Sequence, residues 1–237
     1  MSIDTRYRST APEIMDDFNM GGEILTDALD KIAAINKLLG GNKVTLDGIK
    51  VLLKGRKWPK KIRITDVGCG NGAMLRMLSD YARKHNLDFE LNGIDANNCT
   101  IEHAKKLSKG YPNISYQCSD IFAEEAETGV CDIMLFTLTL HHFTDQEITD
   151  LFKKLKNTVS VGIVVNDLER SALAYRLFTA ISYIFKLNHM SREDGLVSIL
   201  RGFKKADLMK YEKELNINSA YIRWKWAFRY LWVIRTQ

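Results

Sequence analysis

The feature that most constrains this chain is the stretch IRITDVGCGNG at residues 62–72. Its first half has the β-branched and apolar residues of a buried strand. Three glycines then follow within five residues, and a helical pattern begins at Ala73. Glycine adopts backbone conformations that a side chain forbids, and it lets a ligand approach the main chain. Because the next helix directs its free N–H groups at such a ligand, we expect a binding site at this turn.

The glycine loop fits more than one motif. Gly68, Gly70 and Ala73 fit the dinucleotide-binding pattern G-x-G-x-x-G/A. Together with Asp66, the loop also reads D-x-G-x-G-x-G, and in that form it resembles motif I of class I methyltransferases that use S-adenosylmethionine. An ordinary tight turn in an α/β fold is the third interpretation. It is disfavoured because three glycines so close together weaken a fold unless something requires them.

Acidic residues follow the next two predicted strands. Strand 89–94 ends at Asp95, where a carboxylate can accept hydrogen bonds from both ribose hydroxyls of a nucleoside. Strand 113–117 is followed by Asp120, which can accept from an adenine amino group, with the backbone of Ile121 beside the ring. Either acid could instead cap the next helix. Their order after the glycine loop favours a bound nucleoside.

The remaining strands define the fold class. Residues 131–136 are apolar on both faces, as expected for a central parallel strand, and residues 159–165 predict a fifth buried strand. Residues 220–226 and 228–235 are aromatic-rich and alternate with period two, so they predict an antiparallel hairpin. The chain therefore predicts an α/β, Rossmann-like, seven-stranded, mostly parallel sheet with a C-terminal antiparallel hairpin. This hairpin, and the lack of room for a second catalytic domain, argue against a nicotinamide enzyme.

The motifs together resemble those of class I S-adenosylmethionine-dependent methyltransferases. Segments 66–72, 119–121 and 131–143, with Asp95, stand in the usual order, and the resemblance covers roughly residues 60–165. It implies S-adenosylmethionine as cofactor, with contacts from Asp66, Gly68, Cys69, Gly70, Asp95, Ala96, Asp120, Ile121, Phe136 and Thr137. A narrower resemblance, in segments 12–17, 35–36 and 166–171, is to bacterial methyltransferases found beside type III polyketide synthases. Those enzymes are thought to methylate aromatic polyketide or lipid products.

His141 and His142 are the predicted catalytic residues. They follow the fourth strand, where the motif order places the transferring methyl group. Phenols and carboxylic acids need a route for proton loss, which a histidine base provides. The alternative is that His142 has a structural role while His141 shapes the cofactor pocket. We expect no metal, because Phe136-Thr137 offers no carboxylate after the fourth strand.

The chain is predicted to divide into an N-terminal helical lid or extension, residues 1–57, and a methyltransferase domain, residues 58–237. A helix is predicted at 23–39, and Thr45 is predicted to cap a second, with Val44 and Ile49 as a hydrophobic staple. A third helix, from about 169 to 187, is apolar almost all round. That pattern predicts burial against the sheet on one side and a substrate pocket on the other.

The predicted acceptor is a small, largely apolar, aromatic or polyketide- or lipid-like molecule, methylated on oxygen or carbon, with Arg170 and Tyr175 orienting its hydroxyl or carboxylate. An RNA or protein methyltransferase remains an alternative, since basic residues cluster at 54–63. No aromatic-interleaved basic patch supports nucleic acid as a partner. A non-catalytic S-adenosylmethionine-binding module is a further alternative. A cytoplasmic protein is expected, because there is no signal peptide, no C-x-x-C pair and no apolar run of ~20 residues that could span a membrane.

Overall fold

A computed structural model describes residues 3–55, 61–123 and 131–236 of the chain. Seven strands form one sheet in the order β3-β2-β1-β4-β5-β7-β6. Strands β1 to β5 are mutually parallel, β7 runs antiparallel to β5, and β6 runs antiparallel to β7. Six strands therefore share one direction and only β7 opposes them. The predicted fold class, with its C-terminal hairpin, is confirmed.

The elements follow one another as alternating strands and helices after two N-terminal helices. The strands are β1 Ile62–Val67, β2 Phe89–Asp95, β3 Ile114–Cys118, β4 Cys131–Thr137, β5 Val159–Leu168, β6 Ala220–Lys225 and β7 Arg229–Arg235. The helices are α1 Glu23–Leu38, α2 Gly41–Leu53, α3 Ala73–His85, α4 Asn98–Leu107, α5 Asp145–Leu155, α6 Ala172–Ile184, α7 His189–Arg201 and α8 Lys205–Glu214. Short 3-10 helices cover Ile14–Asp16 and Leu140–His142.

Apolar side chains fill both faces of the sheet. On one face, buried residues of α2, α3 and α4 pack on inward residues of β1, β2, β5 and β7. On the other, α5 and α8 pack on β4, β5 and β7, where Phe152 stacks between Phe136 and Trp232. The candidate site lies at the carboxyl ends of the parallel strands, beside the glycine loop. None of the helices in the described ranges is long and apolar enough to cross a membrane.

The second N-terminal helix was predicted with the wrong start. Gly40 ends α1 in the left-handed conformation, with φ of +77°, and it is also the residue that precedes α2. Thr45 is therefore inside α2 and caps nothing. Its hydroxyl lies 3.0 Å from Oγ1 of Thr137 and accepts a hydrogen bond from the Asn166 amide, so it joins the helix to β4 and β5. Since Gly48 packs on β5 and β7, α2 belongs to the core of the sheet.

The helix after β5 also differs from its prediction. It is shorter than 169–187, it packs on α7 and not on the sheet, and only Ala174 and Ser182 are buried along it. Its apolar residues divide between the cavity described below and the surface, where five are exposed: Leu173, Leu177, Tyr183, Ile184 and Phe185. The sequence analysis did not predict α7, whose mixed polar pattern gives little periodic signal.

Candidate active site

A cavity of about 730 Å³ opens where the parallel strands end. Its floor consists of the loops after β1, β2, β3 and β4. Its other walls come from the N-terminal segment, α1, α6, α7 and the turn of the C-terminal hairpin. This volume lies within the range of about 300–1,000 Å³ that is usual for small-molecule sites. All the residues discussed below are placed relative to this cavity.

The glycine loop has the conformation that its composition predicts. Gly68, Gly70 and Gly72 have φ angles of +66°, +52° and +76°, which side chains rarely adopt. A Cβ at Gly70 would meet only Leu29, at 3.7 Å, so the backbone there faces open space in the cavity. Gly72 precedes α3, so the positive end of that helix points toward the same place. The loop therefore fits an adenosine cofactor whose chain passes close to the backbone.

Two acidic side chains border this loop. Asp95 accepts hydrogen bonds from the backbone N–H of Gly70 at 3.1 Å and of Asn97 at 3.1 Å. Burial raises the pKa of Asp95, and these two bonds oppose the shift. Asp66 is fully buried, and its Oδ1 has no hydrogen-bond partner. Burial, together with the charge of Asp95, raises the pKa of Asp66 to about 8. A buried carboxyl group without a partner suits a ligand with a polar group that can form a hydrogen bond to it.

Most of the predicted cofactor residues lie at the cavity wall. These are Asp66, Gly68, Cys69, Gly70, Asp95, Ala96, Asp120, Ile121 and Thr137. Asp120 accepts a hydrogen bond from the backbone N–H of Phe122, which fixes the loop after β3. Phe136 is an exception, because its side chain is fully buried beneath the sheet and stacks on Phe152. The alternation of a strand turns Phe136 away from the site while its neighbour Thr137 faces the cavity.

His141 lies at the cavity wall, and a carboxylate holds one of its two ring nitrogens. Its Nδ1 lies 2.7 Å from Oδ1 of Asp167, and its backbone N–H donates to the other oxygen at 3.1 Å. Burial alone would raise the pKa of Asp167, but the charge and hydrogen bonds of His141 lower it. An ionised Asp167 only accepts, so Nδ1 carries the proton. This leaves Nε2 as an acceptor, 3.6 Å from Oε1 of Glu13 and without a hydrogen-bond partner.

His142 makes a parallel arrangement beside it. Its Nδ1 lies 2.7 Å from Asp16, its Nε2 lies 3.9 Å from Glu13, and its ring centroid is 4.3 Å from that of His141. Arg201 fixes both histidines by donating to their backbone carbonyls, and it pairs with Asp16 at 2.7 Å. His142 is half-buried and His141 is only 2% exposed. Both predicted catalytic histidines therefore line the cavity.

Glu13 completes the cluster. Its Oε2 accepts from the Ser198 hydroxyl at 2.8 Å, while its Oε1 is buried without a hydrogen-bond partner. Burial raises the pKa of Glu13 to about 7, against the opposing charges of His142 and Arg201. A carboxyl group with this pKa can hold or release a proton near neutral pH. In the sequence, segment 12–17 carried only a resemblance, and neither Glu13 nor Asp16 was predicted as a site residue.

The N-terminal segment is held firmly in this position. Arg8 donates to Asp145 at 2.7 Å and to the backbone carbonyls beneath it, and it lies over the Phe203 ring. The Asp194 carboxylate accepts from the backbone N–H groups of Ile14 and Met15, at 2.6 and 3.0 Å. These contacts place Glu13 and Asp16 at the cavity although they are more than 120 residues from the histidines in sequence.

Three of these groups could be considered as metal ligands. One ligand atom each of Glu13, His141 and His142 lies within 4.8 Å of the others. Two nitrogen or oxygen ligands of one zinc ion lie at most about 4.2 Å apart, so the group would have to contract to hold one. The rings of the two histidines are tilted by 33°, with centroids 4.3 Å apart. The arrangement suits proton transfer better than metal binding.

The two predicted acceptor-binding residues are not at the cavity. Arg170 is 2% exposed, and its guanidinium donates to the carbonyls of Thr5, Arg6 and Gly202 and to Asp207. It is thus committed to holding the N-terminal segment against the loop after α7. Tyr175 is half-buried on α6, on a side of that helix that does not line the cavity. The helical period places Leu177, Phe178 and Ile181 there instead.

Comparisons with known proteins agree with this geometry. Residues 64–162 match the family described as methyltransferase domain. No curated protein sequence matches the chain. Among solved structures, the plantazolicin methyltransferase BpumL in complex with SAH has a TM-score of 0.65 at 16% identity, covering 90% of this chain and 89% of that one. The same protein with a pentazolic desmethylPZN analog and SAH gives 0.67, covering 90% of each chain.

Two further structures cover less of their own chains. A putative O-methyltransferase from Nostoc punctiforme PCC 73102 has a TM-score of 0.59 at 17% identity, covering 86% of this chain and 58% of that one. The CurJ carbon methyltransferase has 0.59 at 14% identity, covering 81% and 54%. At these identities the structures establish the fold. Residues 64–162, which contain the glycine loop and the acid after β2, match the methyltransferase domain family, and this match together with the fold supports a class I S-adenosylmethionine-dependent methyltransferase.

Proposed function

We propose that this enzyme methylates a small, largely apolar acceptor, aromatic or polyketide- or lipid-like, on oxygen or carbon. The observation that carries the proposal is the position of His141 Nε2. It is an unpartnered acceptor at the cavity wall, in a ring whose other nitrogen is fixed by buried Asp167. A base in this state can take a proton from a hydroxyl or an activated carbon as the methyl group is transferred.

S-adenosylmethionine supplies a methyl group that is already activated by its sulfonium. The chain's own residues then have three tasks. The loop at 68–72 and Asp95 would hold the nucleoside, and the unpartnered carboxyl oxygen of Asp66 would offer a further hydrogen bond to the cofactor. The cavity walls position the acceptor in line, which can supply much of the rate enhancement. His141, with Glu13 3.6 Å away and His142 beside it, receives the proton and passes it on.

The walls beyond the histidines support an apolar acceptor. They consist of Leu25, Leu29, Ile32, Ile35 and Leu39 from α1, Leu177, Phe178 and Ile181 from α6, and Trp226 and Phe228 from the hairpin. Such apolar and aromatic walls with few polar groups are usual for small-molecule sites. We also propose that residues 3–39 act as the lid of this cavity, since the segment carrying Glu13 and helix α1 close it from above, whereas α2 of the predicted lid 1–57 packs in the core of the sheet. A tRNA or a folded protein would need that lid displaced.

A turnover assay tests the proposal. The enzyme is incubated with S-adenosylmethionine carrying a labelled methyl group and, in separate reactions, with a panel of phenols and aromatic or acyl carboxylic acids, with tRNA, and with total protein. We expect label in the small molecules. Efficient transfer to tRNA or protein would contradict the acceptor class. If SAH binds but no label is transferred to any panel, the site would serve binding without turnover.

A further inference from the structure

One buried arginine at the cavity wall has no partner. Arg229, the first residue of β7, is 3% exposed and lines the cavity. Its Nε and Nη1 are buried without any hydrogen-bond partner, and in the described part of the chain no carboxylate lies within 4.0 Å of its guanidinium. An unpaired charge buried in a protein is strongly unfavourable unless a ligand of opposite charge binds to it.

The other buried arginines of the site show what the chain does when an arginine is structural. Arg170 donates to three carbonyls and to Asp207, and Arg201 donates to three carbonyls and to Asp16. Both guanidinium groups therefore have their hydrogen-bond partners within the protein. Arg229 is equally buried but has none of these contacts, so its missing partner is not explained by the general packing of the region.

Polar groups converge around Arg229. A Cβ on Gly41 would come within 3.0 Å of the Arg229 guanidinium carbon and within 1.9 Å of Asn36 Oδ1, so both side chains lie against that glycine. Asn36 donates to Asn42, and Asn36 and Asn42 line the cavity with Arg229. Gly41 begins α2, a helix of 13 residues whose preceding residue, Gly40, offers no side-chain cap. The positive end of this helix therefore adds to the charge of the guanidinium.

Among the residues that the structure describes, none with a negative charge contacts the Arg229 guanidinium. Burial lowers the pKa of Arg229 to about 10, against the opposing charge of Asp167, so the guanidinium remains a cation at neutral pH. The carboxylate of Asp167 is bound to His141 instead, at 2.7 Å. Trp226 and Phe228, which precede Arg229 in the chain, are aromatic and line the cavity with it. The local environment fits a compact anion on an otherwise apolar molecule.

The cofactor's own carboxylate is a poor candidate for that anion. In the sheet order, β7 lies three strands from β1, which carries the glycine loop. At about 4.8 Å per strand, the two positions are separated by about 14 Å across the sheet. Arg229 is thus on the acceptor side of the cavity, beyond the histidines that follow β4.

We propose that Arg229, with the N-terminus of α2, binds a carboxylate of the acceptor, so that the enzyme's substrate is an apolar carboxylic acid. The planar guanidinium presents two parallel N–H groups that match a carboxylate. This assignment rests on the proposed function and narrows its substrate class. It also gives the acceptor a fixed orientation, with its carboxylate at Arg229 and its reacting atom toward His141.

Binding can be measured without turnover, which separates this assignment from the proposed function. The SAH-loaded full-length protein is titrated by calorimetry with 4-hydroxycinnamate and with decanoate, each compared with its methyl ester. We expect at least one acid to bind more tightly than its ester. Arg229→Met should weaken binding of that acid by about tenfold or more, with the ester and SAH unchanged. Arg229→Lys keeps the positive charge but lacks the two parallel N–H groups of the guanidinium, so it should lose less affinity for the acid. It replaces the Met variant in this test if that variant does not fold.

Arg223→Met is the matched control, because Arg223 lies on the same hairpin, is exposed and does not line the cavity. It should change none of these affinities. The assignment is overturned if neither acid binds the wild-type protein, if acid and ester lose equally in Arg229→Met, or if SAH is the ligand whose affinity falls. A protein that binds the acid but never methylates it would refute the proposed function and leave the carboxylate subsite intact.

Discussion

The cavity has two halves that are built in different ways. The cofactor half consists of the loops that follow β1, β2, β3 and β4, which are neighbours in the sheet. The acceptor half consists of the N-terminal segment, α1, α6, α7 and the hairpin turn, which come together only through packing. In the first half the sheet itself fixes where the functional groups lie, since carboxyl ends of parallel strands meet at one edge. In the acceptor half, no sheet fixes the positions of the functional groups.

The two histidines stand where these halves meet. Their position after β4 belongs to the cofactor half, but their carboxylate partners come from elsewhere: Glu13 and Asp16 from the N-terminal segment, and Asp167 from the end of β5. Disturbing this junction should therefore have the largest effect on activity, and it should do so without loosening the cofactor. Substitutions deeper in the cofactor half should affect cofactor binding alone. Substitutions deeper in the acceptor half should affect acceptor binding alone.

His141→Asn is the variant with the largest expected effect. It removes the free Nε2, so methyl transfer should fall by about 10²–10⁴-fold, the usual contribution of a general base. The dissociation constant of SAH, measured by calorimetry, should stay within about twofold. His85→Asn, on the exposed end of α3, is the matched control and should leave both unchanged. Equal losses of turnover and SAH affinity would place His141 in the cofactor half instead.

Asp95→Ala is the test of the cofactor half. It should remove charge-assisted hydrogen bonds to the ribose, each worth about 1.5–3 kcal/mol, so that SAH affinity falls by at least tenfold. It also removes the bonds to the N–H groups of Gly70 and Asn97, which hold the loops together. Asp88→Ala, at the exposed other end of β2, is the control. An unchanged SAH affinity in folded Asp95→Ala would contradict the ribose assignment.

The sequence predicted these halves unequally. The glycine conformations and the acids after β2 and β3 are local, and each follows from a few neighbouring residues. The fold class followed from the C-terminal hairpin and the parallel-strand pattern. The acceptor half depends on contacts such as Glu13 with His141, for which no short-range pattern exists.

Arg170 and Arg229 show why residues of the acceptor half are hard to predict from sequence. The sequence predicted that Arg170, with Tyr175, orients the acceptor. The structure commits Arg170 to backbone carbonyls and leaves Arg229 without a partner. Which arginine is satisfied depends on where segment 3–20 and α2 pack, and hydrophobic periodicity carries no information on that. The apolar pattern of α6 likewise indicated burial against the sheet, whereas the helix faces the cavity and solvent.

Glu13→Gln tests whether the junction takes part in proton transfer, through the pH dependence of methyl transfer. Burial raises the pKa of Glu13 to about 7, so its carboxylate forms as the pH rises through neutrality. Methyl transfer by the wild-type enzyme should rise about tenfold per pH unit below 7 and level off above it, and the Gln variant should lack that rise. A wild-type profile that is flat between pH 5 and 8 would exclude Glu13 from proton transfer.

The same shift predicts a stability effect that does not depend on turnover. Between about pH 4.5 and 7 the folded protein holds a proton on Glu13 that the unfolded chain releases, so this group makes the free energy of unfolding decrease as pH rises through that window. Denaturant unfolding of the cofactor-free protein should show that decrease, and Glu13→Gln should reduce it. An identical pH slope in both proteins would show that the pKa is not raised.

Arg170→Met has the smallest expected effect on activity, and it separates the two interpretations of this residue most directly. If Arg170 bound the acceptor, its loss would raise KM with little change in stability. The structure gives the opposite expectation, because the guanidinium is 1% exposed, pairs with Asp207 at 2.9 Å and holds the backbone of Thr5. Removing one member of a buried pair should lower the free energy of unfolding by about 3 kcal/mol, while kcat and KM below the unfolding transition stay within about twofold. Arg176→Met, exposed on α6, controls for loss of a positive charge nearby. A raised KM with unchanged unfolding would return Arg170 to the acceptor site and would show that the N-terminal segment adopts a different arrangement when the acceptor binds.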